Sequence, residues 1–398
     1  MKALRVLTSI KLLCVCTATL LCTPELGSAQ AREQPGSFFE VVADAKREPS
    51  YLVILTKKGR IRRLDAMTGR ATWTVTPPTP PPWRPRVLAG AVVALGQMDM
   101  SVFALDPESG RIRWVIDRSD PEWAGIGRAH CVESDGHFLY LCHQEAHHGV
   151  VSLDPNTGRV RWVHRDEPHG PYGGWRVTVF LKSVGTRLVT EFGYLDAETG
   201  RTLQRFVDME GRARADVEWA GLPLVAVSDD GRVMLLEDGG RVTRVDPDTA
   251  RPLWGRAWED TGQVTVALMN DTLLVLHQNS TAPPEEVPEP RTPACGSDLS
   301  RLDVSTGEPV WSIAGCVAKA PRIVIGREAV YSVERTARTG SVTVVARAIA
   351  DGTVLWRTPL ANVSSLAVLG DWLFLGTDKE LMALDALKGT ARWRIRRP

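Results

Sequence analysis

The chain has 398 residues, 43% of them hydrophobic and spread in short runs, which suits two ordinary domains or one large all-β domain and excludes wholesale disorder. Its 48 Lys and Arg stand against 47 Asp and Glu, a net charge of +1. That balance lacks the basic excess that phosphate contacts require, so nucleic acid is excluded as a partner.

The first element is a targeting segment. Lys2, Arg5 and Lys11 precede the apolar run LLCVCTATLLC at 12–22, and the small residues of GSAQA follow. A positive start, a short apolar run and a small-x-small site predict a signal peptide over 1–29, with residues 30–398 as the exported domain. The run is too short to span a bilayer, which takes about 20 apolar residues. Cys14, Cys16 and Cys22 follow Leu, Val and Leu, where a lipid-modified cysteine follows a small residue. No second run of spanning length appears. Cleavage removes three cations and Glu25, which takes the net charge from positive to slightly negative. Four cysteines then remain, Cys131, Cys142, Cys295 and Cys316, an even number suited to an oxidising compartment.

Beyond the signal the chain repeats itself. LDAMTGRATW begins at Leu64, LDPESGRIRW at Leu105, LDPNTGRVRW at Leu153 and LDAETGRTLQ at Leu195. VDPDTARPLW follows at Val245, LDVSTGEPVW at Leu302, a worn copy RAIADGTVLW at Arg347, and LDALKGTARW at Leu384. The glycine column (Gly69, Gly110, Gly158, Gly200, Ala250, Gly307, Gly352, Gly389) advances by 41, 48, 42, 50, 57, 45 and 37 residues. A period in the forties, with short apolar runs between turn residues and no sustained helical spacing, predicts an all-β, eight-bladed β-propeller of four-stranded antiparallel blades.

Each decapeptide reads as the hairpin between a third and a fourth strand. The aspartates Asp65, Asp106, Asp154, Asp196, Asp246, Asp303 and Asp385 are placed to accept backbone N–H groups two and three residues on. Pro107 presets its φ, and Gly110 is free to take a positive φ. Seven tryptophans occupy one column, Trp73, Trp114, Trp162, Trp254, Trp311, Trp356 and Trp393, each a wedge expected against the neighbouring blade. Blade four substitutes Gln204, and blade five has Ala250 in the glycine column. FFEVVA near residue 40 is a candidate first strand of blade one, which leaves the ring closure open.

Blade three carries CHQEAHH at 142–148, whose His143, His147 and His148 are ligand types for zinc or a related metal. Its position at a tip between FLYLC and GVVSL favours a polar loop instead. In the same blade a two-residue turn at Asp135-Gly136 sets Cys131 opposite Tyr140, leaving Cys142 on the diagonal, about 7–8 Å away. That is stretched for a disulfide unless a bulge shifts the register. Cys295 and Cys316 flank the last hairpin of blade six and form a second candidate pair, tethering the insertion QNSTAPPEEVPEPRTPACGSD at 278–298. That insertion and TPPTPPPWRP at 77–86 read as surface spacers; the alternative for the latter is an extended, aromatic-tipped ligand for a partner.

The pattern A-x-D-x-x-T-G-x-x-x-W, in SVFALDPESGRIRW at 101–114 and ELMALDALKGTARW at 380–393, resembles the repeat of the PQQ-binding-like β-propellers. That superfamily includes quinoprotein dehydrogenases and the BamB-type subunit of the outer-membrane β-barrel assembly machine. The resemblance covers the chain from about residue 38 onward and implies fold more than role. A dehydrogenase of this kind has two adjacent cysteines over its quinone and a calcium held by carboxylate and amide oxygens. This sequence has no adjacent cysteine pair beyond the signal, no haem-attaching C-x-x-C-H, and no motif that nominates calcium ligands. The reading is therefore an exported, monomeric, non-enzymatic scaffold without PQQ or another cofactor. Its implied partners are envelope proteins such as the β-barrel assembly machinery, met in the periplasm or at the inner face of the outer membrane. The competing readings are a quinone-dependent dehydrogenase and a glycan- or small-ligand-binding propeller.

Overall fold

The computed structural model describes residues 39–396 except 44–48, 57, 79–81, 97–100, 118, 124–125, 127, 145–147, 166–180, 191–192, 206–224, 229, 239, 247–251, 259–262, 279–296, 316–322 and 336–341. The expected signal segment, His147, Ala250, Cys295, Cys316 and nearly all of the blade-six insertion lie outside the described residues.

Eight four-stranded antiparallel sheets follow one another, each built from four consecutive strands in chain order. Blade one runs over Phe39–Val75, two over Pro82–Ile116, three over Arg128–Arg165 and four over Leu181–Arg205. Blade five spans Val225–Ala257, six Gln263–Gly315, seven Ile323–Leu360 and eight Ser365–Arg396. First strands touch first strands: Phe39–Ala43 meets Pro82–Leu88 on one side and Ser365–Leu369 on the other. The first strands therefore surround the axis and the fourth strands form the rim. This is the eight-bladed propeller that the repeat predicts.

The closure that the sequence left open is made without an exchanged strand. Blade one owns all four of its strands and so does blade eight, with no strand exchanged between them. Leu52, Ile54 and Leu64 of blade one pack against Ala367, Phe374 and Leu381 of blade eight. On the opposite face of the same blade, Tyr51, Val53 and Leu55 pack against Val92, Ala94 and Phe103 of blade two. Both faces of a second strand are thus covered, which is why these strands read as unbroken apolar runs such as YLVIL and AVVAL. Each leucine so buried stabilises the fold by about 1.5–3 kcal/mol.

The decapeptide folds as the expected hairpin. Asp106 N–H donates to Arg111 C=O at 2.8 Å, and Gly110 N–H donates to Asp106 C=O at 2.8 Å. Gly110 sits at φ +71°, where a side chain is strained. A β-bulge precedes every copy: register slips between Ala104 and Leu105 and at the equivalent step of all eight blades. The bulge lets Leu105 pair with Ile112 and turns Trp114 toward the next blade.

Blade seven builds the same hairpin from other residues. Ala348 stands in the aspartate column, and the cap moves to Asp351, whose Oδ1 accepts Thr353 N–H at 3.0 Å. Arg347 replaces the usual leucine, is buried, and donates to Glu334 Oε1 at 2.7 Å and to Gly352 C=O at 3.3 Å.

Candidate functional site

The repeated columns meet at the seams between blades. Trp73 Nε1–H donates to Pro107 C=O of blade two at 2.9 Å, and Trp114 donates to Pro155 of blade three at 2.8 Å. Trp162 reaches Ala197 (3.2 Å), Trp254 reaches Val304 (2.9 Å), Trp311 reaches Ile349 (2.9 Å) and Trp356 reaches Ala386 (2.9 Å). Trp393 of blade eight donates to Ala66 of blade one at 2.8 Å, so the closing seam uses the same lock. Each indole lies on the glycine of the next turn. A Cβ at Gly110 would stand 2.9 Å from Trp73, one at Gly158 2.9 Å from Trp114, and one at Gly200 2.5 Å from Trp162. Gly307 meets Trp254 in the same way, Gly352 meets Trp311, Gly389 meets Trp356 and Gly69 meets Trp393. Glycine is thus demanded twice, by backbone and by neighbour.

The aspartates serve their own turns. Asp106 Oδ1 accepts Glu108 N–H (3.1 Å) and Ser109 N–H (2.8 Å), while Oδ2 accepts from Arg113 at 2.8 Å. The Arg113 hydrogen bond, aided by the Ser109 N–H and hydroxyl, holds the Asp106 carboxyl far below the usual carboxylate range. The Thr199 hydroxyl and N–H lower Asp196, and the Thr306 and Ser305 N–H groups lower Asp303. Burial opposes ionisation of Asp154 and Asp385, yet the Thr157 and Asn156 N–H groups, and Arg392 with the Lys388 N–H, outweigh it. Asp65 makes the same bond to Thr68 N–H at 2.8 Å. Carboxylates engaged in this way are poor general bases and poor metal ligands.

Blade three departs from the expected register. Asp135 Oδ1 accepts both His137 N–H (2.7 Å) and Phe138 N–H (2.8 Å), which makes the turn four residues long and pairs Ser134 with Leu139. Cys131 therefore faces Cys142 directly and not Tyr140, which pairs with Glu133. A disulfide joins the two cysteines, with Cα atoms 5.1 Å apart. The histidine stretch is also less of a loop than expected. His143 is fully buried in the second strand, Gln144 ends that strand and His148 begins the third. Among the described residues no group of three His, Cys, Asp or Glu side chains is arranged to hold a metal.

Contacts between blades that sequence reasoning missed come from arginines. Arg63 pairs with Glu108 of blade two at 2.7 Å, and Arg161 with Glu198 of blade four at 2.7 Å. Near the axis, Arg86 donates to Val132 C=O at 2.7 Å and lies 3.9 Å from the buried Glu133 carboxylate. No spacing in one chain reveals such pairs, because each partner sits some 45 residues away on the next blade.

The rim is divided. The residue before the tryptophan column is the extra residue of the bulge, without a partner in the register. In blades four to seven it is apolar and exposed: Leu203 and Leu253 at 53%, Val310 and Leu355 at 46%. In blades eight, one, two and three it is Arg392, Thr72, Arg113 and Arg161. Three of these are engaged: Arg392 with Asp385, Arg113 with Asp106 and Arg161 with Glu198. The signal was present in the decapeptides, one column short of the tryptophan.

Eight contiguous blades, seven of them docked on the next by an indole, define a propeller of the tryptophan-docked repeat class. A protein-family profile described as outer membrane protein assembly factor BamB matches residues 57–193 and again 189–395, and the chain belongs to that family. Among solved structures, BamB from Moraxella catarrhalis is 16% identical with a TM-score of 0.50, over 78% of this chain and 86% of that one. The computationally designed Ika8 protein is 14% identical with a TM-score of 0.61, over 90% and 96%. The dihydro-haem d1 dehydrogenase NirN is 10% identical with a TM-score of 0.59, over 95% and 81%. At such identities these likenesses define the fold alone. No curated protein matches the chain.

Proposed function

We propose that the chain is a non-catalytic scaffold of the cell envelope that presents its rim to other proteins during outer-membrane protein assembly. The observation that carries this reading is one apolar, exposed column of the rim, Leu203, Leu253, Val310 and Leu355 on four successive blades. Exposed apolar side chains repeated on successive blades favour protein contact over open solvent. Family membership supports the setting, and the 1–29 segment supplies the route of export. The carboxylates repeated around the ring are used to hold turns, and the described disulfide ties two strands. Neither arrangement fits a quinone cradled over calcium.

The test is crosslinking in the native envelope followed by purification of the full chain. The expected result is recovery of β-barrel assembly subunits, lost on Leu253→Asp with Val310→Asp while the fold is retained. Unchanged recovery in the double variant removes the rim from the reading, and recovery of no assembly subunit removes the role. A second measurement addresses the cofactor. Incubation of the purified chain with pyrroloquinoline quinone and calcium is expected to leave no bound quinone absorbance after desalting.

A further inference from the structure

We propose that the ring opens at the seam between blades four and five. Seven of the eight seams carry an indole donating to the next blade and resting on its glycine. At the eighth the sequence lacks both the tryptophan and the glycine. Blade four ends in half-buried Gln204 where tryptophan belongs, and in the sequence of blade five the glycine column holds Ala250. At every other seam the indole and the glycine form one contact, and the two departures in sequence fall on one such pair of columns.

The inner part of this seam also carries a cation, as does the seam between blades two and three, where Arg86 donates to Val132 C=O beneath an intact indole lock. Val184 faces blade five, because a Cβ at Gly231 would stand 2.3 Å from Val184 Cγ1. Lys182, two residues earlier on the same strand, shares that face and is only 8% exposed. Blades five to eight turn Ala226, Ala267, Val324 and Ala367 toward the next blade, each within an apolar cluster. An ammonium group held between two sheets lacks the cohesion of those clusters and carries a desolvation penalty whatever its partner.

The seam between the chain's ends is no rival as the weak point. There Trp393 donates to Ala66 and rests on Gly69, and its ring lies 6.2 Å from that of Phe374. The weakness falls in the middle of the chain, so opening separates two four-blade halves that stay joined at the closure.

Hydrogen exchange of the intact protein tests the proposal. Amides of Leu181–Val184, Thr202–Arg205 and Val225–Val227 are expected to exchange at least about tenfold faster than those of Ile61–Asp65 and Ala391–Arg396. Equal protection at the two seams, or faster exchange at the closure, overturns it. Gln204→Trp combined with Ala250→Gly is expected to raise Tm by about 2 °C or more and to slow exchange in blades four and five. A folded double variant without either effect counts against the proposal. The converse transplant, Trp114→Gln with Gly158→Ala, is expected to create a second fast-exchanging seam between blades two and three; continued protection there shows that this pair is not what sets the opening.

Discussion

At the scale of single residues, one position answers to two demands at once. Gly110 needs a positive φ for its own turn, and it needs to be bare because Trp73 of the preceding blade lies on it. Gly110→Ala is therefore expected to cost about 1–3 kcal/mol in chemical denaturation, more than a turn glycine that meets nothing, such as Gly136. Trp393→Ala at the closing seam is expected to cost about 3–5 kcal/mol, and Trp393→Phe isolates the hydrogen bond to Ala66 at about 1 kcal/mol. The capping carboxylates set the acid response. Asp106, Asp154, Asp196, Asp303 and Asp385 have native pKa values held below their unfolded ones, near 3.9. The unfolded chain then binds protons first as pH falls, so their contribution is complete above about pH 5 and drains away below about pH 4. A melting temperature that stays level from pH 7 to pH 3 contradicts this, and Asp106→Asn is expected to flatten the decline.

Elements were legible to different degrees. The hairpin of the decapeptide could be read outright, because turn chemistry, glycine and tryptophan recur at fixed offsets and each copy corroborates the others. The first hairpin of blade three could not, because its length depends on which N–H groups Asp135 captures, and DGHF holds both a two-residue and a four-residue solution. That one choice decides whether Cys131 meets Tyr140 or Cys142. The worn copy in blade seven showed its departure in sequence but not the remedy, a cap moved to Asp351 beside a buried Arg347 paired with half-buried Glu334. The disulfide closes a separation of 11 residues, and its removal in Cys131→Ser with Cys142→Ser is expected to cost about 2–3 kcal/mol. A melting temperature unaffected by reductant makes the bond dispensable to stability.

For the whole molecule, the number of blades follows from counting one turn, whereas the surface that matters for partners does not. The divided rim emerges only when the column beside each tryptophan is placed around a circle, blade by blade, and its exposure is known. Arginine pairs such as Arg63–Glu108 stay hidden for the same reason, since they join residues brought together by the ring and not by the chain.

Because every blade is cut from one uninterrupted segment, the molecule has no privileged first sector. The last rim strand, Ala391–Arg396, stands to the axial strand Phe39–Ala43 as Ala71–Val75 stands to Pro82–Leu88, and six residues bridge the latter step. A linker of similar size between residues 396 and 39, with new ends placed between 205 and 225, should yield a circular permutant that folds to the same wheel. Its ends would then lie at the seam that already lacks its indole. The order in which the sectors are synthesised would change, and the finished circle would not.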